Sequence, residues 1–434
     1  YLLQNQPHDS ICGCSRDQVH KDMIYRFDQC RMIAEPLAEN SLRFIAEKVA
    51  TEEVSGELAG CEKKVALVVF NPLSWERSEV VEAFVDLSHE WGAQGLMVLD
   101  EAGNEVASAT LEVKADGIFA QSKYEIPQHT PVQRWKIVFF AEAVPSVGYK
   151  TFFVRALDDR PYRNVGSMIT GPGAAENGAV HLSFNEDGSA HIEPMQEDAG
   201  YVWNGLIFED GGDVGDGWTY RKPMCDTLVT SQGCASQVTV VEDNALRATF
   251  RVDTIMPIPA TANPDNQTRS EGTVDLNISS YLTVAKGSRR VDIVSEVDNN
   301  AKFHRLRVLF PTELDAAVSH SESVFDVVTR AIEPNPDERD WREPLCMSGP
   351  QKSFVDVSND GRGLAVINDA MPEFEVKNDD DRTVALCMMR SIGHGVMAHL
   401  GEQVDGQCLG KYTFRYSVYP HKGDWREGQV WRES

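Results

Sequence analysis

Residues 4–20 read QNQPHDSICGCSRDQVH and place His8, Asp9, Cys12, Cys14 and His20 in one short stretch. Two imidazoles and two thiols are donor types that zinc accepts. Their spacing argues against a shared ion. Structural zinc sites present cysteine knuckles of the C-x2–4-C type, whereas Cys12 and Cys14 are separated by Gly13 alone at the entry to a helix. Cysteine is also among the most buried residue types. Packing at a helix start is therefore the reading for Cys12 and Cys14, and His20, one turn from Met23, reads as a packed or solvent-facing imidazole. His8-Asp9 behind Pro7 keeps two readings: a functional pair, or helix-entry chemistry in which Asp9 or Ser10 accepts backbone N–H bonds.

A second candidate is residues 208–223, FEDGGDVGDGWTYRKP. Its acids and glycines suggest a calcium loop, but the D-x-[DN]-x-[DN]-G spacing and the distal Glu are missing. Glycines let the backbone bend, and the Trp218/Tyr220 pair beside acids suits a sugar, whose C–H face stacks and whose hydroxyls need acceptors. The plain alternative is an acidic surface loop. In LCMMRSIGHG (residues 386–395) Arg390 falls at a strand end beside a glycine turn, with a solvated arginine as the alternative. Residues 378–382, NDDDR, read as a solvated hairpin turn. No phosphate-binding loop, dinucleotide fingerprint, G-x-S-x-G elbow or H-E-x-x-H is present.

These residues must be held by two kinds of element. The first sixty residues carry helical periodicity: Ser15 and Gln18 read as a capping box, apolar residues recur at Val19, Met23, Phe27, Cys30 and Ile33, and Pro36 should kink or end the helix. A second helical run follows to a break at Ser55-Gly56. Beyond Cys61 the texture is β: residues 65–75, 79–87, 135–144 and 149–157 are short β-branched and aromatic runs bounded by Pro, Gly, Asn and Ser. A break near residues 158–161 separates them from further strands. Residues 179–195 form a hairpin turning at Asp187-Gly188. Residues 274–297 alternate through Leu276, Ile278, Ser280, Leu282 and Val284, turn at Lys286-Gly287, and alternate again; residues 304–311 make another strand. The expected fold is mainly β: a short helical-bundle segment (1–58) followed by two antiparallel β-sandwich domains, 62–157 and 160–434.

Bulk properties narrow the partners. With 434 residues, several domains are the prior. The net charge of −26 disfavours nucleic acid and anionic membrane surfaces. Nine scattered cysteines and no dense disulfide pattern favour a reducing, cytoplasmic setting, and no apolar run is long enough to span a bilayer. The sequons at Asn266 and Asn277 carry no weight without secretion. The chain opens on Tyr1-Leu2-Leu3, without a Met or signal peptide, so it is expected to start inside a larger protein.

In order along the chain, NQPHDSICGCSRDQVHKDMIYRFDQ, VFNPLSWERSEVV, FEDGGDVGDGWTYRKP, HRLRVLFPT, FVDVSNDGRGLAVIND and MRSIG resemble the bacterial α-mannosidases of glycoside hydrolase family 38. The resemblance covers essentially the whole chain. It implies an N-terminal α/β catalytic domain, a helical bundle and large β-sandwiches, with a catalytic zinc bound by a His and an Asp of an H-x-D motif, an Asp that is also the nucleophile, and a histidine of the bundle. On that resemblance His8 aligns with the last zinc ligand and Asp9 with a neighbouring carboxylate that hydrogen-bonds sugar hydroxyls. Trp218 and Tyr220 fall where the family often reads G-D-x-Y-x-Y, with Trp218 in place of the first tyrosine. On the same resemblance Arg390 faces the far side of the substrate.

The chain also departs from the family. It has no H-x-D; His191-Ile192-Glu193 is the nearest triplet and lies on a hairpin. A retaining glycosidase needs two carboxyl groups about 5 Å apart, which the family draws from its α/β domain. The expectation is the C-terminal portion of a zinc-dependent retaining α-mannosidase, inactive alone and partnered by the N-terminal α/β domain of the same protein. Two alternatives stand beside it: a hydrolase of mannosylglycerate or another small mannoside, and a non-catalytic carbohydrate-binding or scaffold β-sandwich protein. Linkage, general acid and homo-oligomerisation stay open.

Overall fold

The structure is a computed structural model that describes residues 1–51, 61–120, 124, 126–160, 166–195, 201–334, 346–359, 361–393 and 404–434. The Ser55-Gly56 break, Pro161 and His394 lie outside the described residues.

The N-terminal segment folds as a short helix α1 (His8–Ile11) and a long helix α2 (Asp17–Ala46) of 30 residues. Two expectations are corrected here. Ser15 and Gln18 form no capping box: Arg16 is the N-cap, the Ser15 hydroxyl donates to the Asp9 carbonyl at 2.5 Å, and the Gln18 amide reaches Asp22 one turn on. Pro36 does not end the helix, so the two expected helical runs are one. A proline in a helix interior frees the carbonyl four residues back. Here that is Met32, 64% exposed, where water can serve the carbonyl. Met23 is the one buried residue of α2, and its carbonyl accepts the side-chain amide of buried Asn5. The helix is tied to the β region by Lys21–Asp405 at 3.0 Å and by Asp17, whose carboxylate accepts the Asp405 N–H.

The rest is mainly β, and the ladders among the described strands are antiparallel. A four-stranded sheet centred on Gly148–Leu157 faces a three-stranded sheet, Arg77–Ser88, Gln128–Val144 and Ser108–Ala120. Their inward positions make one core that includes Leu87, Val98, Ile137, Phe139, Phe152 and Val154. A second, larger core lies among a five-stranded, a six-stranded and a nine-stranded sheet. The alternation read in residues 274–297 is the register seen: Leu282 faces Ile293 and Ser280 faces Ser295. Both serines are buried, and they satisfy each other and the Tyr416 hydroxyl at 2.7 Å. Gly188 and Gly287, at φ near +80° and +78°, make the two hairpin turns without a Cβ penalty.

The six-stranded sheet positions the site. At its centre, Ile207–Gly212 pairs with His304–Phe310, which pairs with Val384–Ser391. Every residue of His304–Phe310 is buried, although the strand carries a histidine and two arginines. Isolated charges could not be held there. Arg307 pairs with Glu209 and Glu375, and Lys377 reaches Glu209 at 3.0 Å. His304 Nδ1–H donates to Asp210 at 2.5 Å, its Nε2 lies 3.0 Å from the Asn299 side-chain oxygen, and Arg269 pairs with the other Asp210 oxygen. That His–Asp pair is fully buried, so no substrate reaches it.

Candidate functional site

The 208–223 segment is not an acidic surface loop. Its first part is the strand Ile207–Gly212, buried at all six positions, and Asp213 is fully buried as well. The chain then doubles back: Val214 N–H donates to the Arg221 carbonyl and Asp216 N–H to the Thr219 carbonyl. The acids shape this turn. Asp213 Oδ1 accepts the Gly215 N–H at 3.0 Å, while Asp216 Oδ1 accepts those of Trp218 and Thr219 at 2.9 and 2.8 Å. A Cβ on Gly215 would sit 1.9 Å from the Thr219 carbonyl oxygen, so the turn requires glycine there. These carboxylate oxygens are thus committed to backbone donors that shape the turn.

Arg390 holds the turn in place. Its Nε donates to Asp213 Oδ2 at 2.7 Å and its Nη2 to the Asp216 carbonyl at 3.0 Å. The solvated-arginine alternative is thereby corrected: the side chain is 16% exposed and paired with a fully buried carboxylate. Burial opposes its charge, but Asp213 outweighs burial and raises the guanidinium above its ordinary value.

The same turn meets the start of the chain. A Cβ on Gly217 would lie 2.7 Å from Cys14 Cα, so the glycine permits backbone contact between the two loops. Cys14 is buried at this contact, beside Trp218. Its thiol touches Cys12 at 3.1 Å and the Asp9 carbonyl at 3.3 Å. Burial first, then the hydrogen bond with Cys12, pushes the Cys14 thiol up to about 11, so at neutral pH it is neither a thiolate ligand nor a nucleophile. His20 closes the loop from behind through a 3.0 Å contact between Nε2 and the Ser15 carbonyl. Cys12, Cys14 and His20 thus make local contacts around α1.

His8 and Asp9 point outward. Their side chains are 94% and 62% exposed and meet each other at 3.3 Å. Among the described residues no group of three His, Cys, Asp or Glu side chains is placed to hold a metal ion. A catalytic zinc takes three protein ligands. His8 and Asp9 give one imidazole and one adjacent carboxylate, which do not make a zinc site by themselves.

Trp218 and Tyr220 flank a cavity of about 780 Å³. Trp218 is 61% exposed, next to the Cys14 contact. Tyr220 is half-buried, with the Arg305 guanidinium 3.5 Å from its ring centroid. The structure therefore gathers Asp9, Trp218, Tyr220 and Arg390 around one turn, with Trp218 as the link between the first loop and the cavity. Sequence reasoning missed Gly217, Asp213 and Arg305. A usable signal existed for Arg305: with Arg307 it shows the period-two spacing that puts two side chains on one sheet face.

Residues 175–394, just over half of the chain, match the family model described as the glycosyl hydrolases family 38 C-terminal domain. The chain belongs to glycosyl hydrolase family 38. A putative mannosylglycerate hydrolase from Halalkalibacterium halodurans is 26% identical across 98% of this chain and 49% of its own length. An α-mannosidase structure from Enterococcus faecalis superposes with a TM-score of 0.88 at 24% identity, covering 100% of this chain and 51% of that one. A second family 38 structure from Enterococcus faecalis gives a TM-score of 0.84 at 25% identity over 100% of this chain and 52% of that one. The chain thus spans about half the length of each of these family 38 proteins. The mainly β fold and the family expected from the sequence both hold.

Proposed function

We propose that this chain is the C-terminal portion of a retaining α-mannosidase and supplies one wall of its active site. The observation that carries the proposal is the assembly of an exposed His8-Asp9 pair onto the Trp218 turn, held by Cys14, Gly217 and the Arg390–Asp213 pair. Such an arrangement fixes donors toward solvent without completing any site among the described residues. Asp9 would hydrogen-bond sugar hydroxyls, and Trp218 with Tyr220 would stack on or border the sugar ring. In this reading His8 gives one ligand to a zinc whose other ligands come from residues outside this chain, and the zinc would supply electrostatic stabilisation to the bound sugar. The two reacting carboxyl groups would also come from outside it, from an N-terminal α/β domain. The segment division 1–58, 62–157 and 160–434 belongs to the same proposal, supported by the separate hydrophobic cores before and after residue 160.

The test compares mannose release from an aryl α-mannoside by the full-length protein and by residues 1–434 alone. The full-length protein should turn over with retention of configuration, and the 434-residue piece should release nothing. Turnover by the piece alone would refute the half-site reading. A full-length protein inert toward α-mannosides would refute the activity. The 26% identity to a putative mannosylglycerate hydrolase leaves the aglycone open.

A further inference from the structure

Among the described residues, the buried cation Arg305 has no hydrogen-bond acceptor within reach. Arg305 is 8% exposed, yet among the described residues its guanidinium makes no side-chain hydrogen bond. The nearest carboxylate, Glu373, stands 3.8 Å from Nη1, beyond hydrogen-bond reach, and the Tyr220 ring covers one face. Its neighbour Arg307 shows how such a group is normally served, with Glu209 and Glu375 both on its nitrogens. Five donors in a planar fork, on a side chain only 9% exposed, are costly to leave without an acceptor. They line the 780 Å³ cavity, so an acceptor entering that cavity can reach them.

We propose that the cavity binds a small carboxylate-bearing polyol, a sugar acid or hydroxy acid, whose carboxylate is taken by the Arg305 fork. The geometry of a guanidinium matches the two oxygens of a carboxylate. Lys222 adds a second positive charge at the wall, while Asp226 and Glu375 also face the cavity. Both of those acids are engaged, Asp226 by the Gly212 N–H and Glu375 by Arg307. Their presence favours a singly charged carboxylate over a phosphate dianion, which they would repel. The Tyr220 hydroxyl and Ser348 supply partners for ligand hydroxyls, and Trp218 offers an apolar face. Gly211, opposite Arg305 in the sheet, keeps the floor open: a Cβ there would press on Leu228 at 2.8 Å. This inference rests on the proposed sugar site, since Trp218 and Tyr220 border the same cavity, but it is read by binding alone, so a full-length protein inert toward α-mannosides would leave it standing.

The experiment is calorimetric titration of the full-length protein with D-glucuronate and D-glycerate, against D-glucose, glycerol and inorganic phosphate. The carboxylates should bind, with the neutral analogues weaker by about tenfold or more, the loss expected for one charge-assisted bidentate contact. Arg305→Met should remove that preference. Because Arg305 sits in a buried network, a second variant guards against misfolding: Leu228→Trp, from a 60% exposed wall position, fills the cavity and keeps Arg305. It should weaken carboxylate binding by about tenfold or more with an unchanged melting temperature. Absence of carboxylate binding, equal affinity for glucose, preference for phosphate, or unaltered binding in Leu228→Trp would each overturn the proposal.

Discussion

Gly217→Ala gives the sharpest view of how the two site loops depend on each other. The added Cβ would stand 2.7 Å from Cys14 Cα and 2.8 Å from Cys14 Cβ. Ordinary carbon–carbon contact is about 3.5–4.0 Å, so one loop must retreat by roughly 1 Å. The clash is with backbone, which cannot rotate away as a flexible side chain would. Overpacking of this size costs about 1–3 kcal/mol. The same substitution restricts the unfolded chain, which stabilises by about 0.4–1 kcal/mol where the native backbone tolerates alanine. Gly217 lies outside the left-handed φ region, so the backbone does tolerate it. The net expectation is destabilisation by about 1–2 kcal/mol. Gly272→Ala is the control: no atom lies within 4 Å of its added Cβ, so it should stabilise by about 0.4–1 kcal/mol. Urea unfolding followed by tryptophan fluorescence reads both. If Gly217→Ala matches or exceeds wild-type stability while the control behaves as stated, the loops do not touch as described.

Two further predictions concern the charges behind the site. Asp213→Asn leaves the Arg390 guanidinium facing an amide in a buried position and should cost about 3–5 kcal/mol; Arg390→Met added to it should cost less than Arg390→Met alone, and strict additivity in that double-mutant cycle would dissolve the pair. At Glu209, burial raises the carboxyl, but Arg307 and Lys377 outweigh burial and hold it below its usual value. The stability it contributes is therefore present above the unfolded value near 4.5 and is lost as pH falls through the lower folded value. Thermal melts between about pH 3 and 6 should show a shallower acid limb for Glu209→Gln, and an identical slope would refute the assignment.

The sequence carried much of the fold because period-two alternation and turn chemistry are local. Asp187-Gly188 and Lys286-Gly287 turn where their composition says, and Leu276 to Val284 face inward as the pattern demands. Local rules failed where the partner is distant. The acids after Phe208 leave a surface loop standing as an alternative in the sequence because Arg390, which neutralises Asp213, is 177 positions away. Nothing near Cys14 announces that Gly217 covers it. Pro36, expected to kink or end the helix, does not end it, because an exposed carbonyl at Met32 removes part of the penalty. The candidate residues stand out by type, with the adjacent His8-Asp9 pair behind Pro7. Its orientation toward solvent, and the turn that supports it, became visible only in the folded chain.

The central claim is that His8 and Asp9 are one edge of a metal-dependent sugar site completed outside this chain. Metal content and α-mannoside turnover of full-length His8→Ala, beside wild type and Asp9→Asn, test it most directly. The account predicts that His8→Ala loses bound zinc and activity together, while Asp9→Asn keeps the zinc and loses turnover. A His8→Ala protein that retains both zinc and full activity would contradict it.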